Sequence, residues 1–510
     1  MRFPMILLRA ALLTLLASRP GLADGVPLSW GDLVLMRPSL WTVPDLVLPD
    51  PDPDQPILGP RASQDGARLL RHLGGSGKIN GFAGILYDNR DRGHSLLDRE
   101  AFPIASLEYG PDLAAKGLDA GLAGRILFPA VVLGNSSMAM RDGPLWRSLP
   151  RLAMTNPFWQ VRTLLLYANN HVYVYPEHRD HDRKDLFPLN WPYMIVSQGS
   201  SGSDQAFLGA AAMTLAAFPA ETFAALDEQR LVAPTLQMIL RRTLSTVSSR
   251  EDYLSGVAHP PVFDGKALRP GQMVAMASEM RPGDIPPLVR LQVVEETFES
   301  AAGLADLSER LLDSPSAIGR LWRGFGPERE MVVSAADTVA PNDRPLQFEW
   351  RLLRGDPERV RIEPQGPDGA SARIRIAWHA PWIETGRVGN TTYERQQSRV
   401  DIGVFANNGV YDSAPAFISV DFPEHQRRDY ADTEHGERLV SIDYDAQARK
   451  VYFDPLLYWS APWTDTARYD EAGVLLGWDR RHRDGESGFV PLAEDRLPPA
   501  LYDPEAFGKQ

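Results

Sequence analysis

The chain has 510 residues, of which 44% are hydrophobic and 23% charged, so it is long enough for about two to four ordinary domains and wholesale disorder is excluded. Its formal net charge of −13 argues against a nucleic-acid-binding protein, which needs a basic face to neutralise phosphates. The absence of cysteine excludes disulfides, zinc–thiolate centres and cysteine nucleophiles.

Residues 1–23 have the pattern of a secretory signal peptide. Arg2 supplies the positive start, and an apolar stretch follows from Met5 to Ala17. The small residues Gly21 and Ala23 occupy the two positions that a signal peptidase reads. The apolar stretch is shorter than the ~20 residues that a membrane span needs. We therefore expect a periplasmic or secreted protein with no membrane span after the signal is cleaved.

A proline- and aspartate-rich lead-in occupies residues 24–60, and an α/β domain with helical elaboration is predicted over 61–315. Continuous apolar runs predict strands that are buried on both faces, and Asn169-Asn170 suggests the turn of a hairpin. The predicted strands are 82–87, 126–133 and 193–197, the predicted hairpin is 163–175, and the predicted helices are 204–218, 233–247, 271–280 and 287–302.

Polar residues follow the first two of these strands. Asp88, Asp91 and His94 come after 82–87, where open α/β sheets bind their ligands. If 82–87 and 193–197 are parallel neighbours, the loops after these strands converge, and we expect His94 to act as a general base for Ser200 or Ser201 that Asp88 or Asp91 orients. The second strand is followed by three residues that offer donors to an oxyanion, namely Gly134, Asn135 and Ser136.

The loop "SQGSSGSD" (197–204) lies between a strand and a helix. It lacks the lysine of a Walker phosphate loop, which excludes that motif. Ser200 and Ser201 each match half of the Gly-x-Ser-x-Gly nucleophile elbow, because Gly202 follows the first serine and Gly199 precedes the second. The loop is therefore either a serine or anion-binding site or a turn in which Ser203 or Asp204 caps the helix.

A further cluster, "HVYVYPEHRDHD" (171–182), combines imidazoles with carboxylates. His178, Asp180 and His181 are the residues here that suit a divalent metal, although their spacing matches no defined motif. A solvated loop is the alternative interpretation.

From residue 329 to 421 the chain alternates polar and apolar residues in short segments, which predicts a β-sandwich. The stretch around Ala335 and Asp337, with Pro345 to Trp350, resembles a PKD-type, immunoglobulin-like domain. The family's glycine–aspartate motif is altered here, since Gly355-Asp356 lies farther from the tryptophan. The resemblance implies an accessory module of exported bacterial proteins, often attached to enzymes that degrade carbohydrate or protein, and it carries no catalytic residues.

The tail, residues 436–510, is predicted to form β-hairpins with turns near 445–449 and 470–473. The whole chain is therefore expected to be a multidomain α/β plus β protein, with an immunoglobulin-like sandwich and a β-hairpin tail. The function expected is that of an exported hydrolase with Ser200 or Ser201 as nucleophile. The alternative is a non-catalytic surface protein that binds polysaccharide or other cell-surface material. No cofactor is established by the residues, and the divalent metal considered above is the candidate.

Overall fold

The computed structural model of the chain describes residues 25–140, 147–181, 183–303, 306–388, 391–424, 426–444, 463–483 and 485–492. The predicted signal peptide, residues 1–23, lies outside this part of the chain. The helices are α1 (Ala67–Gly74), α2 (Pro111–Ala114), α3 (Leu149–Thr155), α4 (Pro157–Tyr167), α5 (Gln205–Ala217), α6 (Ala220–Glu228), α7 (Val232–Arg242), α8 (Arg250–Tyr253) and α9 (Pro270–Glu279). Within the described ranges, no helix is long and apolar enough to cross a membrane.

The strands of the first half of the chain are β1 (Gly25–Leu28), β2 (Val34–Arg37), β3 (Leu40–Thr42), β4 (Ile85–Asn89), β5 (Ala105–Tyr109), β6 (Ile126–Leu127), β7 (Val131–Asn135), β8 (Ala139–Met140), β9 (Arg147–Ser148), β10 (His171–Pro176) and β11 (Ile195–Ser197). Those of the second half are β12 (Gln292–Glu296), β13 (Arg310–Ser314), β14 (Ala317–Leu321), β15 (Glu328–Ser334), β16 (Gln347–Arg354), β17 (Val360–Gln365), β18 (Ser371–Ala377), β19 (Trp382–Val388), β20 (Thr391–Gln397), β21 (Arg399–Asn407), β22 (Ala416–Asp421), β23 (Arg427–Thr433), β24 (Gly436–Asp443), β25 (Trp463–Tyr469), β26 (Leu475–His482) and β27 (Ser487–Pro491).

A six-stranded parallel sheet with the order β1-β5-β4-β7-β10-β11 organises the N-terminal unit. The chain runs from β4 outward to β5, then crosses back to β7 on the other side of β4, so the direction of winding reverses between β4 and β7. In open parallel sheets, ligands bind outside the carboxyl ends of the strands at such a reversal. The predicted α/β unit is therefore confirmed, and its topology indicates where a site should lie.

Helix α5 crosses the core of this unit. All of its residues from Phe207 to Ala217 are buried, and it contacts β7, α1, α7 and α9. Its alanines and single glycine permit this close packing, because small side chains let neighbouring elements approach. The predicted helix over 204–218 is confirmed.

Two predicted elements were wrong. The proposed hairpin over 163–175 is instead the end of helix α4 followed by strand β10. Asn156 caps α4 by accepting a hydrogen bond from the Phe158 backbone at 3.0 Å, and Pro157 fits the first helical turn. The pair Asn169-Asn170 does form a turn, with Asn170 at a φ of 59°, but it joins a helix to a strand.

The second wrong prediction is the helix over 287–302. Pro286 and Pro287 lack backbone donors, and the chain after them is extended. Val293 and its neighbours form β12, which pairs antiparallel with β15. The predicted strand over 126–133 is likewise divided into β6 and β7 around Pro129.

The middle of the chain forms two sheets that share one core. One sheet has the order β12-β15-β18-β17 and the other β13-β14-β22-β21-β16. Their inward residues belong to a single buried cluster that includes Met331, Ile374, Ile402 and Ile418. A β-sandwich therefore follows the α/β unit, as the alternating pattern predicted.

Strands β19 and β20 form a separate hairpin that extends from the sandwich to the α/β unit. The backbone N–H of Gln396 donates to the carbonyl of Arg183 at 3.0 Å, and the N–H of Asp185 donates to the carbonyl of Gln396 at 2.8 Å. Behind this contact, the buried Asp185 carboxylate lies 2.8 Å from Arg399 of β21. The two units are therefore joined by backbone pairing and by a buried ion pair.

The last sheet is antiparallel and has the order β23-β24-β25-β26-β27. The predicted turn near 470–473 is confirmed, since Gly473 donates to the carbonyl of Asp470 at 3.0 Å between β25 and β26. The other predicted turn, 445–449, lies outside the described residues. Trp463, Trp478 and Tyr444 form the small core of this sheet.

Candidate functional site

Four loops meet at the carboxyl end of the parallel sheet. They are residues 90–97 after β4, 136–138 after β7, 177–181 after β10 and 198–204 after β11. Asn89 and Asn135 are register partners on the two strands that flank the reversal of winding. Side chains from all four loops contact one another there, which makes this the candidate functional site.

The centre of the site is a serine–histidine chain of three side chains in the order His178–Ser137–Ser201. Ser137 Oγ lies 2.7 Å from His178 Nε2 and 3.1 Å from Ser201 Oγ. Ser137 and His178 are half-buried, whereas Ser201 is exposed. This geometry fits a hydroxyl that passes its proton to an imidazole, the arrangement that activates a nucleophile.

His178 has an unusual backbone conformation. Its φ is 52° and that of Arg179 is 75°, a region that residues other than glycine rarely adopt. The backbone N–H of His178 donates to the carbonyl of Gly199 at 3.0 Å, and Gly199 donates to the carboxylate of Glu177 at 3.1 Å. These bonds fix the two loops to each other and hold the imidazole against Ser137. Strained conformations of this kind persist where the surrounding structure determines them.

The electrostatic environment keeps His178 in its neutral form at neutral pH. Burial lowers the pKa of His178 below its usual value, the carboxylate of Asp204 opposes this effect, and His94 adds to it. A neutral imidazole with its proton on Nδ1 presents the lone pair of Nε2 to Ser137. His178 is therefore able to accept the Ser137 proton.

Asp204 lies beside this chain, and it does not cap helix α5 with its side chain. Its carboxylate is fully buried and accepts hydrogen bonds from Ser95 Oγ at 2.6 Å and from Asn135 Nδ2 at 3.2 Å. The N–H of Gly202 donates to the same Ser95 hydroxyl at 2.9 Å. The predicted cap by Ser203 or Asp204 is therefore wrong, because the Asp204 carboxylate bonds across the sheet and Ser203 Oγ bonds to Ser197 Oγ at 2.9 Å.

Asp91 and His94 form the rim of the site. His94 Nδ1 lies 3.4 Å from Asp91 Oδ1, and the His94 side chain is 68% exposed whereas the carboxylate is buried. Burial and the charge of Asp204 raise the pKa of Asp91 to about 6, although His94 opposes the shift. The Asp91 carboxyl group therefore titrates near pH 6.

The expected contact between Asp88 and His94 is absent among the described residues. The Asp88 carboxylate accepts hydrogen bonds from Tyr109 at 2.8 Å and from Tyr173 at 2.5 Å, and it lies 3.6 Å from Arg90. Tyr173 and Arg90 are buried and Tyr109 is half-buried, so Asp88 stabilises the sheet end and does not orient an imidazole.

The two predicted serines differ in what they contact. Ser201 Oγ contacts Ser137 Oγ and makes no direct contact with His178 among the hydrogen bonds of the described residues. Ser200 is exposed, and its backbone carbonyl accepts a hydrogen bond from Ser203. The strands assumed to be neighbours, β4 and β11, are in the same sheet but separated by β7 and β10, which is why His178 and not His94 meets the serines.

The groups expected to bind a ligand are largely occupied within the protein. Gly199 and Gly202 have φ values of 132° and 95°, and their N–H groups donate to Glu177 and Ser95. The Asn135 amide donates to Asp204 and to the Ser95 carbonyl.

The same holds for the residues on either side of Asn135. Ser136 donates through its N–H to Val174 and through its hydroxyl to Arg90. Gly134 lies inside β7, where a Cβ would come within 2.2 Å of the Tyr173 ring. The predicted oxyanion donors are therefore structural.

The three residues expected to bind a metal do not converge. His178 contacts Ser137, Asp180 accepts hydrogen bonds from Ser148 at 2.6 Å and 2.9 Å, and His181 lies 3.6 Å from Asp185. No group of three or more His, Asp or Glu side chains in the described ranges is placed to hold a metal ion.

Sequence reasoning missed the roles of Ser137, His178, Ser95 and Asp204. All four segments are identified as candidates by the sequence, but the partners of these residues depend on contacts between segments, which the immediate sequence does not reveal. A usable signal existed for Ser137, because it follows the buried strand β7 at the point where the winding reverses.

Comparisons with known proteins add no functional information. No family model matches the chain, and no curated protein matches it. Among solved structures, the N-terminal Ig1-2 module of a Drosophila receptor protein tyrosine phosphatase is similar at 9% identity, with 40% of this chain and 98% of that chain covered and a TM-score of 0.13. A TM-score this low carries no argument about fold or function.

Proposed function

We propose that the protein is a serine hydrolase with Ser137 as nucleophile and His178 as general base. The observation that carries the proposal is the 2.7 Å contact between Ser137 Oγ and His178 Nε2 at the reversal of winding. A neutral imidazole at hydrogen-bond distance from a hydroxyl meets the geometric requirement for general-base catalysis.

The reaction proposed is the hydrolysis of an ester or amide through an acyl-enzyme. Ser137 Oγ attacks the carbonyl carbon as His178 Nε2 takes the hydroxyl proton, and the imidazolium then gives that proton to the leaving group. Water, deprotonated by the same nitrogen, cleaves the acyl-enzyme and restores Ser137. Ser201, whose Oγ lies 3.1 Å from Ser137 Oγ, donates a hydrogen bond to the attacking oxygen and positions it.

We further propose that the protein is exported and that its β-sandwich is an immunoglobulin-like accessory module. The signal-like pattern of residues 1–23 supports export. The single core between two sheets supports the sandwich assignment. Neither point bears on the choice of nucleophile.

Labelling with a fluorophosphonate tests the hydrolase, because this reagent forms a covalent adduct with an activated serine. We expect the wild type to be labelled and Ser137→Ala and His178→Gln to lose labelling by at least about 100-fold. Ser200→Ala is the matched control, because Ser200 is an exposed serine on the neighbouring 198–204 loop and, within the described part of the chain, does not hydrogen-bond to His178. Absence of labelling in the wild type would overturn the hydrolase proposal and favour the alternative, a non-catalytic surface protein. Undiminished labelling of Ser137→Ala would overturn the assignment of the nucleophile.

A further inference from the structure

A cavity separate from the candidate functional site lies between the α/β unit and the hairpin β19–β20. Its volume is about 360 Å³, and its wall includes His181, Gln198, Arg354, Glu384, Tyr393 and Arg395. The size is at the lower end of the range of about 300–1,000 Å³ that is typical of small-molecule sites. The hairpin is held over the loop of His181 by the backbone bonds of Gln396 described above, so the cavity has a defined wall.

His181 lies in the wall of this cavity, and its ring nitrogens are buried without hydrogen bonds to other described residues. The side chain is 1% exposed, and neither ring nitrogen has a hydrogen-bond partner within the described part of the chain. Nδ1 lies 3.6 Å from Asp185 Oδ1, which leaves Nε2 as the nitrogen without a polar neighbour. A buried polar atom without a hydrogen bond lowers the stability of the folded state unless a bound molecule forms a hydrogen bond with it.

Each charged group of the wall has a direct hydrogen-bond or ion-pair partner among the described residues, with one exception. Arg354 bonds to Asp185 and lies 3.5 Å from Asp401, and Glu384 accepts a hydrogen bond from Gln397 at 2.6 Å. The remaining carboxylate, Asp264, caps a short helical turn by accepting from the Lys266 backbone at 2.8 Å.

Arg395 is the exception. It has no carboxylate within 4.0 Å among the residues that the structure describes, and its Nε is buried without a hydrogen bond. The guanidinium lies 5.2 Å from the centre of the Tyr393 ring. Burial lowers the pKa of Arg395, which reflects the cost of holding this charge away from water. Asp185 and the register partner Glu384 oppose this shift from a longer distance, so the half-buried cation has no direct ion pair, which favours an anionic ligand.

Gly386 shapes the wall beside Arg395. It is the register partner of Tyr393, and a Cβ at this position would lie 2.1 Å from the Tyr393 ring. The glycine therefore allows the tyrosine ring to lie across the hairpin, where it supports the guanidinium through the cation–π contact.

We propose that this cavity binds a carboxylate group of a small organic ligand, with Arg395 as the counter-charge and His181 as a hydrogen-bonding partner. The planar guanidinium matches a carboxylate through two parallel N–H···O bonds. The inference rests on the cavity alone and does not depend on the proposed hydrolase.

Isothermal titration calorimetry of the full chain with glutarate tests the proposal. We expect saturable binding of glutarate, no binding of the neutral glutaramide, and weaker binding of inorganic phosphate. Arg395→Gln is expected to weaken glutarate binding by at least about tenfold. Arg361→Gln is the matched control, because the Arg361 side chain is 71% exposed on a distant strand and should leave binding unchanged.

Further variants keep the result interpretable. Glu384→Gln removes a negative charge from the wall, so it should bind glutarate more tightly than the wild type even if Arg395→Gln fails to fold. Ser137→Ala should bind glutarate as the wild type does, which separates this site from the hydrolase. Absence of saturable binding by the wild type, equal binding by a folded Arg395→Gln, or tighter binding of phosphate than of glutarate would overturn the carboxylate assignment.

Discussion

Asp204 immediately precedes helix α5, but its carboxylate accepts a hydrogen bond from Ser95 of a different loop at 2.6 Å. The residue that the sequence suggested as a helix cap therefore ties the loop after β11 to the loop after β4. This cross-connection brings the 198–204 loop to the site and places a negative charge near His178.

Replacing Ser95 tests this connection. Ser95→Ala removes one donor from the fully buried Asp204 carboxylate and the acceptor of the Gly202 N–H. We expect the free energy of unfolding to fall by about 1–3 kcal/mol, because buried polar groups would lose their partners. Urea denaturation measures the change. Ser200→Ala, on the exposed part of the 198–204 loop, should change stability by less than about 0.5 kcal/mol, and equal effects would contradict the account.

The pKa of Asp91 predicts a pH dependence of stability. Burial and the charge of Asp204 raise this pKa to about 6 in the folded protein, above the unfolded value of about 3.9. The folded state therefore favours the protonated carboxyl. Its stabilising contribution is complete below about pH 4 and is lost as the pH rises through about 6.

Asp91→Asn removes this titration. Relative to the wild type, the variant should become progressively more stable as the pH increases from 4 to 7.5, as measured by urea denaturation at several pH values. A constant difference between the two proteins across this range would show that Asp91 titrates normally.

The lowered pKa of His178 predicts the pH profile of labelling. Because burial moves this pKa below the ordinary value of about 6.5, the imidazole is already neutral at pH 7. The rate of fluorophosphonate labelling should increase from pH 4.5 and level off below pH 7. A rate that still rises with a midpoint above pH 7 would mean that a different group activates the nucleophile.

The buried ion pair between the two units predicts a large effect on stability. Asp185 and Arg399 are both fully buried and 2.8 Å apart, and the charges of Arg399 and Arg354 hold the pKa of Asp185 well below its usual range. Asp185→Asn removes one of the two buried carboxylates that face these guanidinium groups and leaves Asp401 alone to balance them, so we expect the free energy of unfolding in urea to fall by about 3 kcal/mol.

An exposed pair supplies the control for this prediction. Arg468 and Asp479 are 50% and 46% exposed, so Asp479→Asn should cost less than about 1 kcal/mol. A similar small loss for Asp185→Asn would indicate that the ion pair does not hold the units together.

Local sequence patterns predicted the architecture better than they predicted the contacts. The apolar run around β7 and the alanine-rich α5 identified buried elements, and alternation identified the sandwich. The segment 163–175 was misinterpreted because Asn169-Asn170 resembles a hairpin turn. Asn156-Pro157 is a typical helix start, and it indicates that a helix, α4, precedes this turn.

The sequence located the region of the candidate site but did not predict which of its side chains contact one another. Convergence of strand-end loops was predicted, and the loops do meet. Which histidine meets which serine depends on strand order, and β4 and β11 were assumed to be adjacent. The left-handed backbone at His178, which turns this side chain toward Ser137, is fixed by bonds to Gly199 and has no local sequence signature.

The most direct test of the account is to locate the fluorophosphonate adduct in the wild-type protein by peptide mass spectrometry. The account predicts a single adduct on Ser137, whose Oγ lies 2.7 Å from His178 Nε2. An adduct on Ser200 or elsewhere outside the serine–histidine chain, or no adduct, would contradict it.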